Sequence, residues 1–275
     1  MLAARRHERE TIVKACQALL IAAIVVGLFA LADPARAALI GHWPLDGNGN
    51  AAVGTNGNLV GGPVGAPDRN GIANGAMAFN GAQQQRIEIA GGGGLDGAAS
   101  GTISLFVKWD GIQDSACCNS HGDVLARQNN GIWSSNIIGL SGNDPNNARV
   151  TWQANDAGPP DITGTTTVGD GVWRHIAVTY SPTEHILYVD GQSEGPMPAA
   201  GALSSDANVV LAIGAWIGDG AGYSTSVVDD VKIFDTVLTP AEIQSLSVVV
   251  PEPSSILLAS LGLLGLLGCG RRRRR

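Results

Sequence analysis

The sequence predicts an all-β fold, a sandwich of two antiparallel sheets with one short C-terminal helix. Three observations predict it. Val172 to Gly191 is a complete meander: Val172–Tyr180 is a β-branched and aromatic run, Ser181-Pro182-Thr183-Glu184 a turn, and His185–Val189 the returning strand. Asp190-Gly191 then supplies the pair of positive-φ residues that a type I′ hairpin turn needs. Runs of the same kind recur along the chain between Gly, Asn and Asp clusters, at roughly eight-to-twelve-residue spacing, the rhythm of a sandwich. Only one stretch reads as helix: Thr239-Pro240-Ala241-Glu242 is a capping box with proline at its first turn, and Ile243 and Leu246 give it a small apolar face. With no helical crossovers, a parallel sheet is excluded.

The termini are signals rather than fold. Residues 1–37 read as a signal peptide: Arg5, Arg6, Arg9 and Lys14 are its positive region, Ala15–Leu31 its apolar core and Ala35-Arg36-Ala37 a small-x-small cleavage site,. A retained anchor helix is the alternative that the apolar length permits. Residues 248–275 carry Pro251-Glu252-Pro253, an apolar run from Ser254 to Gly268, and Arg271 to Arg275. The prolines break regular pairing, the apolar run is near the short limit for transient insertion into a bilayer, and the arginines hold that end cytoplasmic. A plain tail anchor is the competing reading.

Between these signals lies one domain, residues 38–247, long enough for a sizeable core. From Ala38 to Pro253 the chain keeps 7 basic against 21 acidic residues, a net charge near −14. That argues against nucleic acid or anionic lipid as partner and suits a solvated exported surface that attracts cations. Cys117 and Cys118 are the body's only cysteines. In an oxidising compartment they can form a vicinal disulfide, which would stiffen a loop rather than staple the fold. With His121 they form no usual zinc spacing.

In chain order, Ala38–Asp46 is expected to be a first strand carrying Leu39, His42 and Trp43 inward. Asp46-Gly47-Asn48-Gly49-Asn50 opens like a calcium loop, but Gly57 stands where the twelfth-position glutamate belongs,. Ala51–Gly75 reads as a surface excursion, Ala76–Phe79 as a strand ended by Asn80-Gly81, Arg86–Ala90 as its return, and Gly91–Gly94 as a spacer. Thr102–Trp109 alternates Ile103, Leu105, Val107 and Trp109 on one face. Strands follow at Asp123–Arg127, Ile132–Leu140, Arg149–Ala154, Val209–Gly214 and Val227–Phe234.

Three blocks carry a resemblance. They are Trp43-Pro44-Leu45-Asp46 with Gly75–Gly81, Trp173–Tyr180 with Leu187–Gly191, and Val228–Phe234 with Leu238–Ile243. Together they resemble the laminin-G-like, concanavalin A-like jelly-roll family, which implies two curved antiparallel sheets and, in many relatives, binding to carbohydrate surfaces. Val250–Arg275 resembles the PEP-CTERM sorting signal of Gram-negative bacteria, which implies cleavage by a membrane exosortase.

The resemblance leaves function to the sites. From Ala38 onward the glutamates are Glu88, Glu184, Glu194, Glu242 and Glu252. None sits in the E-x-D-x-E frame that would put two carboxylates about 5 Å apart on one strand face. Asp229 and Asp230 are adjacent and should face opposite ways, and His175 reads as structural, so no catalytic residue is assigned. The resemblance implies a structural calcium held by Asp46, the Asn80–Gly81 turn, and Asp229 or Asp230, a hard-oxygen set suited to that ion. The alternative makes Asp46 a turn cap and pairs Asp230 with Arg or Lys232. Trp43, Trp109 and Trp173 read as core, whereas Trp133, Trp152, Trp216 and Tyr223 lie near loops and are the aromatic residues placed to bind a sugar. The resulting expectation is an exported, non-enzymatic surface or biofilm-matrix protein that binds polysaccharide. A protein-binding adhesion module and a degenerate glycosidase are the alternatives.

Overall fold

Strand-forming runs become seventeen strands in the computed structural model, which describes residues 37–111, 121–129, 132–142, 145–154, 162–199, 201–203, 205, 209–217 and 222–248. The chain divides between Ala37 and Ala38 into two units, and the fold is that of the second. The leader, the Cys117-Cys118 pair and the Pro251-Glu252-Pro253 tail with its apolar run lie outside the described residues. No helix among the described residues is long and apolar enough to cross a membrane.

The strands are β1 (Leu39–Trp43), β2 (Asn58–Val60), β3 (Val64–Ala66), β4 (Ala76–Phe79), β5 (Arg86–Ala90), β6 (Gly101–Lys108), β7 (His121–Asn129), β8 (Ile132–Ser141) and β9 (Arg149–Ala154). They continue as β10 (Ile162–Thr163), β11 (Trp173–Tyr180), β12 (Glu184–Val189), β13 (Gln192–Pro198), β14 (Val209–Ile213), β15 (Ala215–Trp216), β16 (Gly222–Tyr223) and β17 (Ser226–Phe234). The helix α1 (Pro240–Ser247) closes the domain, and its capping box forms as expected.

One sheet runs β13-β12-β11-β6-β17-β4-β3, with β1 also on β17. The other runs β10-β9-β8-β7-β14-β5-β2, with β15 and β16 at its side. Pairing is antiparallel apart from one parallel contact, Tyr223 with Asp123. The meander forms as read, and Asp190 and Gly191 take φ of 49° and 76°. Ile103, Leu105 and Val107 of β6 meet Val124, Ile138, Val150 and Leu211 of the facing sheet in one core, as inner faces of a sandwich must.

β6 is buried on both faces, and only Lys108 at its end is exposed. Its outer face is covered because the chain after β17 crosses it. There Thr102 Oγ1 donates to the Thr236 carbonyl and accepts from the Leu238 amide. The chain then folds into α1 against β11 and β13, burying Ile243.

Several expectations change. The Ala51–Gly75 excursion contains the edge strands β2 and β3. The Gly91–Gly94 spacer is a tight turn in which Gly93 has φ of 64°, and a Cβ there would stand 2.4 Å from Leu211 Cδ2. Trp173 is only half-buried, because it pairs with Lys108 on the outer face. His42 also turns outward: Trp43 takes the core position, and alternation leaves its neighbour on the other side.

Candidate functional site

The outer face of the first sheet holds a charged cluster that β-alternation alone does not foresee. β17 pairs with β4 through Ser226–Val228 and with β1 through Val231–Phe234. Between them its register against β6 shifts, and Asp230 adopts φ of 53°. Such a bulge re-aims side chains, so Asp229 and Asp230 do not face opposite ways. Both meet one guanidinium: Arg69 Nη1 donates to Asp229 Oδ2 at 2.5 Å and Nη2 to Asp230 Oδ2 at 3.2 Å. Lys232 Nζ donates to Asp230 Oδ2 at 2.7 Å, and His42 Nε2 lies 2.8 Å from Asp230 Oδ1. Arg69 also lies over the Phe106 ring, 4.1 Å from its centroid.

Burial pushes the Asp229 carboxyl up to about 6, against the pull of Arg69. Burial acts on Asp230 the same way, but the His42 hydrogen bond, Lys232 and Arg69 overcome it and hold that carboxyl well below the usual range. Two carboxyls with separated pKa values resemble an acid–base pair. Asp229 is 3% exposed, however, and its guanidinium partner covers it, so no substrate reaches the acid.

The same geometry tests the calcium set. Ser226 pairs with Phe79, so the Asn80–Gly81 turn lies beyond the start of β17. The turn reaches Thr225, five residues before Asp230, so at about 3.3 Å per strand residue it is roughly 16 Å from that acid,. Gly81 is buried in a short 3₁₀ turn, and its amide donates to Thr225 Oγ1. Asp46 is exposed in a turn whose carbonyl accepts from Asn48 Nδ2. Asp229 and Asp230 are saturated by bases. These five residues do not fit a common calcium ion, and the ion-pair alternative is the arrangement found. No group of three or more His, Cys, Asp or Glu among the described residues is arranged to hold a metal ion.

Below Arg69 and Phe106, Ser104 Oγ and His175 Nε2 share a 2.9 Å hydrogen bond. A hydroxyl beside an imidazole suggests nucleophilic chemistry. Here both are buried, His175 Nδ1 has no partner, and Asp190 accepts from the His175 backbone amide rather than its ring. Burial pushes the His175 ring down to about 4. The pair is structural.

The aromatic candidates separate. Trp152 is 1% exposed in the core, and its Nε1 donates to His185 Nδ1 at 3.1 Å. Trp216 is buried against Ala126 in a cluster of its own. The short β15–β16 pairing sets Tyr223 opposite Ala215 and Trp216 opposite Gly222, so the two rings share no face, and the Arg86 guanidinium lies over the Tyr223 ring, 5.8 Å from its centroid. Trp133 lies on β8, and its side chain falls outside what is described. Trp152 and Trp216 are thus packing residues rather than platforms, because strand pairing buried what loop proximity suggested was exposed.

The sequence reading missed a cleft of about 240 Å³ at one end of the first sheet, where β4, β6 and β17 meet the turn before β11. Phe79, Trp109 and Val227 give it an apolar wall, while Lys108, Asp110, Thr225 and Ser226 supply polar groups. Cross-strand pairing builds its outer floor, since Val227 pairs with both Lys108 and Ala78. The one sequence signal was a lysine facing outward from a strand whose other residues are apolar or small. An apolar recess with a few convergent polar groups is the general form of a small-ligand site.

Two antiparallel sheets packed face to face define a β-sandwich of the jelly-roll class. Residues 80–244 match the model of the concanavalin A-like lectin/glucanases superfamily, and the chain belongs to that family. Residues 249–274 match the PEP-CTERM protein-sorting motif, so the chain carries a sorting signal for export to the cell surface. Comparison with curated protein sequences finds no match.

Among solved structures, domain 4 of the extracellular arabinanase AbnA of Geobacillus stearothermophilus, in complex with arabinotriose, superposes with a TM-score of 0.57 at 20% identity. The match covers 77% of this chain and 99% of that one. The binding domain of Paraclostridial Mosquitocidal Protein 1 gives 0.59 at 14% identity, over 76% of this chain and 51% of that one. Trypanosoma rangeli sialidase gives 0.50 at 16%, over 76% and 32%. At these identities the likeness establishes the fold.

Proposed function

We propose that this protein is an exported, non-enzymatic carbohydrate-binding module of the cell envelope or biofilm matrix of a Gram-negative bacterium, released to its site by an exosortase-type protease. The observation that carries the reading is the cleft beside Lys108 and Asp110, with apolar wall and polar rim in one recess. A volume of about 240 Å³ is below the 300–1,000 Å³ typical of drug-sized ligands,. It suits a terminal sugar unit rather than a buried oligosaccharide, and weak single-site binding fits a matrix protein that engages many chain ends at once. The arabinotriose complex of the arabinanase domain supports carbohydrate as the ligand class. Against catalysis stands the saturation of Asp229 and Asp230 by Arg69, Lys232 and His42.

A second reading, a protein-docking adhesion module, is favoured by Leu59, Val64 and Ile72, which are exposed along or beside the edge strands β2 and β3. Retention on a panel of immobilised glycans separates the two. Wild-type protein purified from the exporting cell should be retained, and Ala78→Trp, which fills the cleft, should not be, with an unchanged melting transition. Retention that survives Ala78→Trp removes the cleft from the account.

A further inference from the structure

Of the seven basic side chains in the domain, six are tied down. Arg69, Arg86, Arg127, Arg174 and Lys232 pair with carboxylates. Arg149 donates to the Ala148 carbonyl and to Thr167 Oγ1. Lys108 has no hydrogen-bond or ion-pair partner among the described residues. It is the exposed end of a strand whose other seven residues are buried.

Two ordinary reasons for such a lysine do not apply. β6 is a central strand, flanked by β11 and β17 through Trp173 and Val227, so Lys108 does not guard an open sheet edge. Asp110 lines the same recess, yet the two do not form an ion pair. In a domain this acidic, carboxylates are abundant and basic groups are scarce. One ammonium with no partner among the described residues, at the mouth of the cleft, is a specific feature of the recess.

We infer that the cleft selects an acidic sugar, a uronic-acid unit at a chain end, whose carboxylate pairs with Lys108 Nζ while its ring lies along Val227, the cross-strand neighbour of Lys108. The inference rests on the carbohydrate reading and narrows its ligand class. A single cation does not compensate a polyanion against a net charge near −14,. The selectivity is therefore for one acidic unit presented at a terminus, not for a uniformly charged chain.

The test titrates the purified protein with two oligosaccharides that differ only at the non-reducing end, one ending in glucuronic acid and one in its uncharged methyl ester. A partly solvated ammonium–carboxylate pair should favour the acid by about five-fold. Lys108→Gln should bring the ratio of the two affinities to near one, and Lys108→Arg should restore it. Equal affinities in the wild type, or a preference that persists in Lys108→Gln, overturn the inference while leaving carbohydrate binding intact. Failure of both probes to bind, alongside failure of every neutral glycan, overturns the carbohydrate reading itself and this inference with it.

Discussion

Replacing His175 with glutamine isolates one buried titration. The ring packs 5.0 Å from Phe106 and bonds Ser104, with Asp190, Asp230, Lys232 and Arg69 as the charged groups that act on it. The unfolded ring takes up its proton near 6.5, the folded ring only near 4. Between those values the unfolded chain binds the extra proton, so the wild-type contribution is whole above pH 6.5 and is lost as pH falls toward 4. At 1.36 kcal/mol per pKa unit the loss amounts to roughly 3 kcal/mol.

Asp229 acts with the opposite sign. Its folded pKa is raised to about 6 from 3.8, so stability falls as pH rises through that window. Both proteins keep Asp229, and its effect cancels in the difference. Urea unfolding at half-unit steps from pH 4 to 7 should therefore show wild type and His175→Gln converging by roughly 3 kcal/mol as pH falls. A difference that stays constant across the range would refute a buried, neutral His175.

Other outcomes follow from the same geometry. Arg69→Met keeps an apolar stem over Phe106 but strips Asp229 of its ion partner, and should cost about 3 kcal/mol in denaturant unfolding at pH 7,. Gly93→Ala forces a side chain into φ of 64° and against Leu211, so about 2 kcal/mol should be lost by the same assay,. Thr239→Ala removes the α1 cap and should lower stability by ~1 kcal/mol,. Chelator should leave the melting temperature unchanged, because the residues expected to share a calcium lie apart or are paired with bases. A calcium-dependent rise that Asp46→Ala erases would contradict that geometry.

The sequence made the meander, the closing helix and the alternating β6 legible because each rests on local chemistry. Asp190-Gly191 needs positive φ, Thr239 and Glu242 cap each other, and Ile103, Leu105 and Val107 repeat at period two. What stayed hidden depends on partners distant in the chain. The bulge at Asp230 arises where β17 exchanges β4 for β1, a tertiary event that no window of residues records. Trp152 and Trp216 sit near loops, yet pairing with β8 and packing on Ala126 bury them. The cleft joins Lys108, Ala78 and Val227 across three strands, and its signal in the sequence was a single outward lysine. Arg69, from a segment read as surface excursion, proved to be the residue that neutralises both acids of β17.

Carbohydrate binding at the Lys108–Asp110 cleft is the central proposal. Amide chemical-shift mapping of the isotope-labelled protein, titrated with a glycan that it retains, tests this most directly. Binding in the cleft should shift amides centred on Lys108–Asp110, Ala78–Phe79 and Thr225–Val227. Shifts centred on Tyr223 and Arg86, or on β2 and β3, would contradict it and place the ligand on another face.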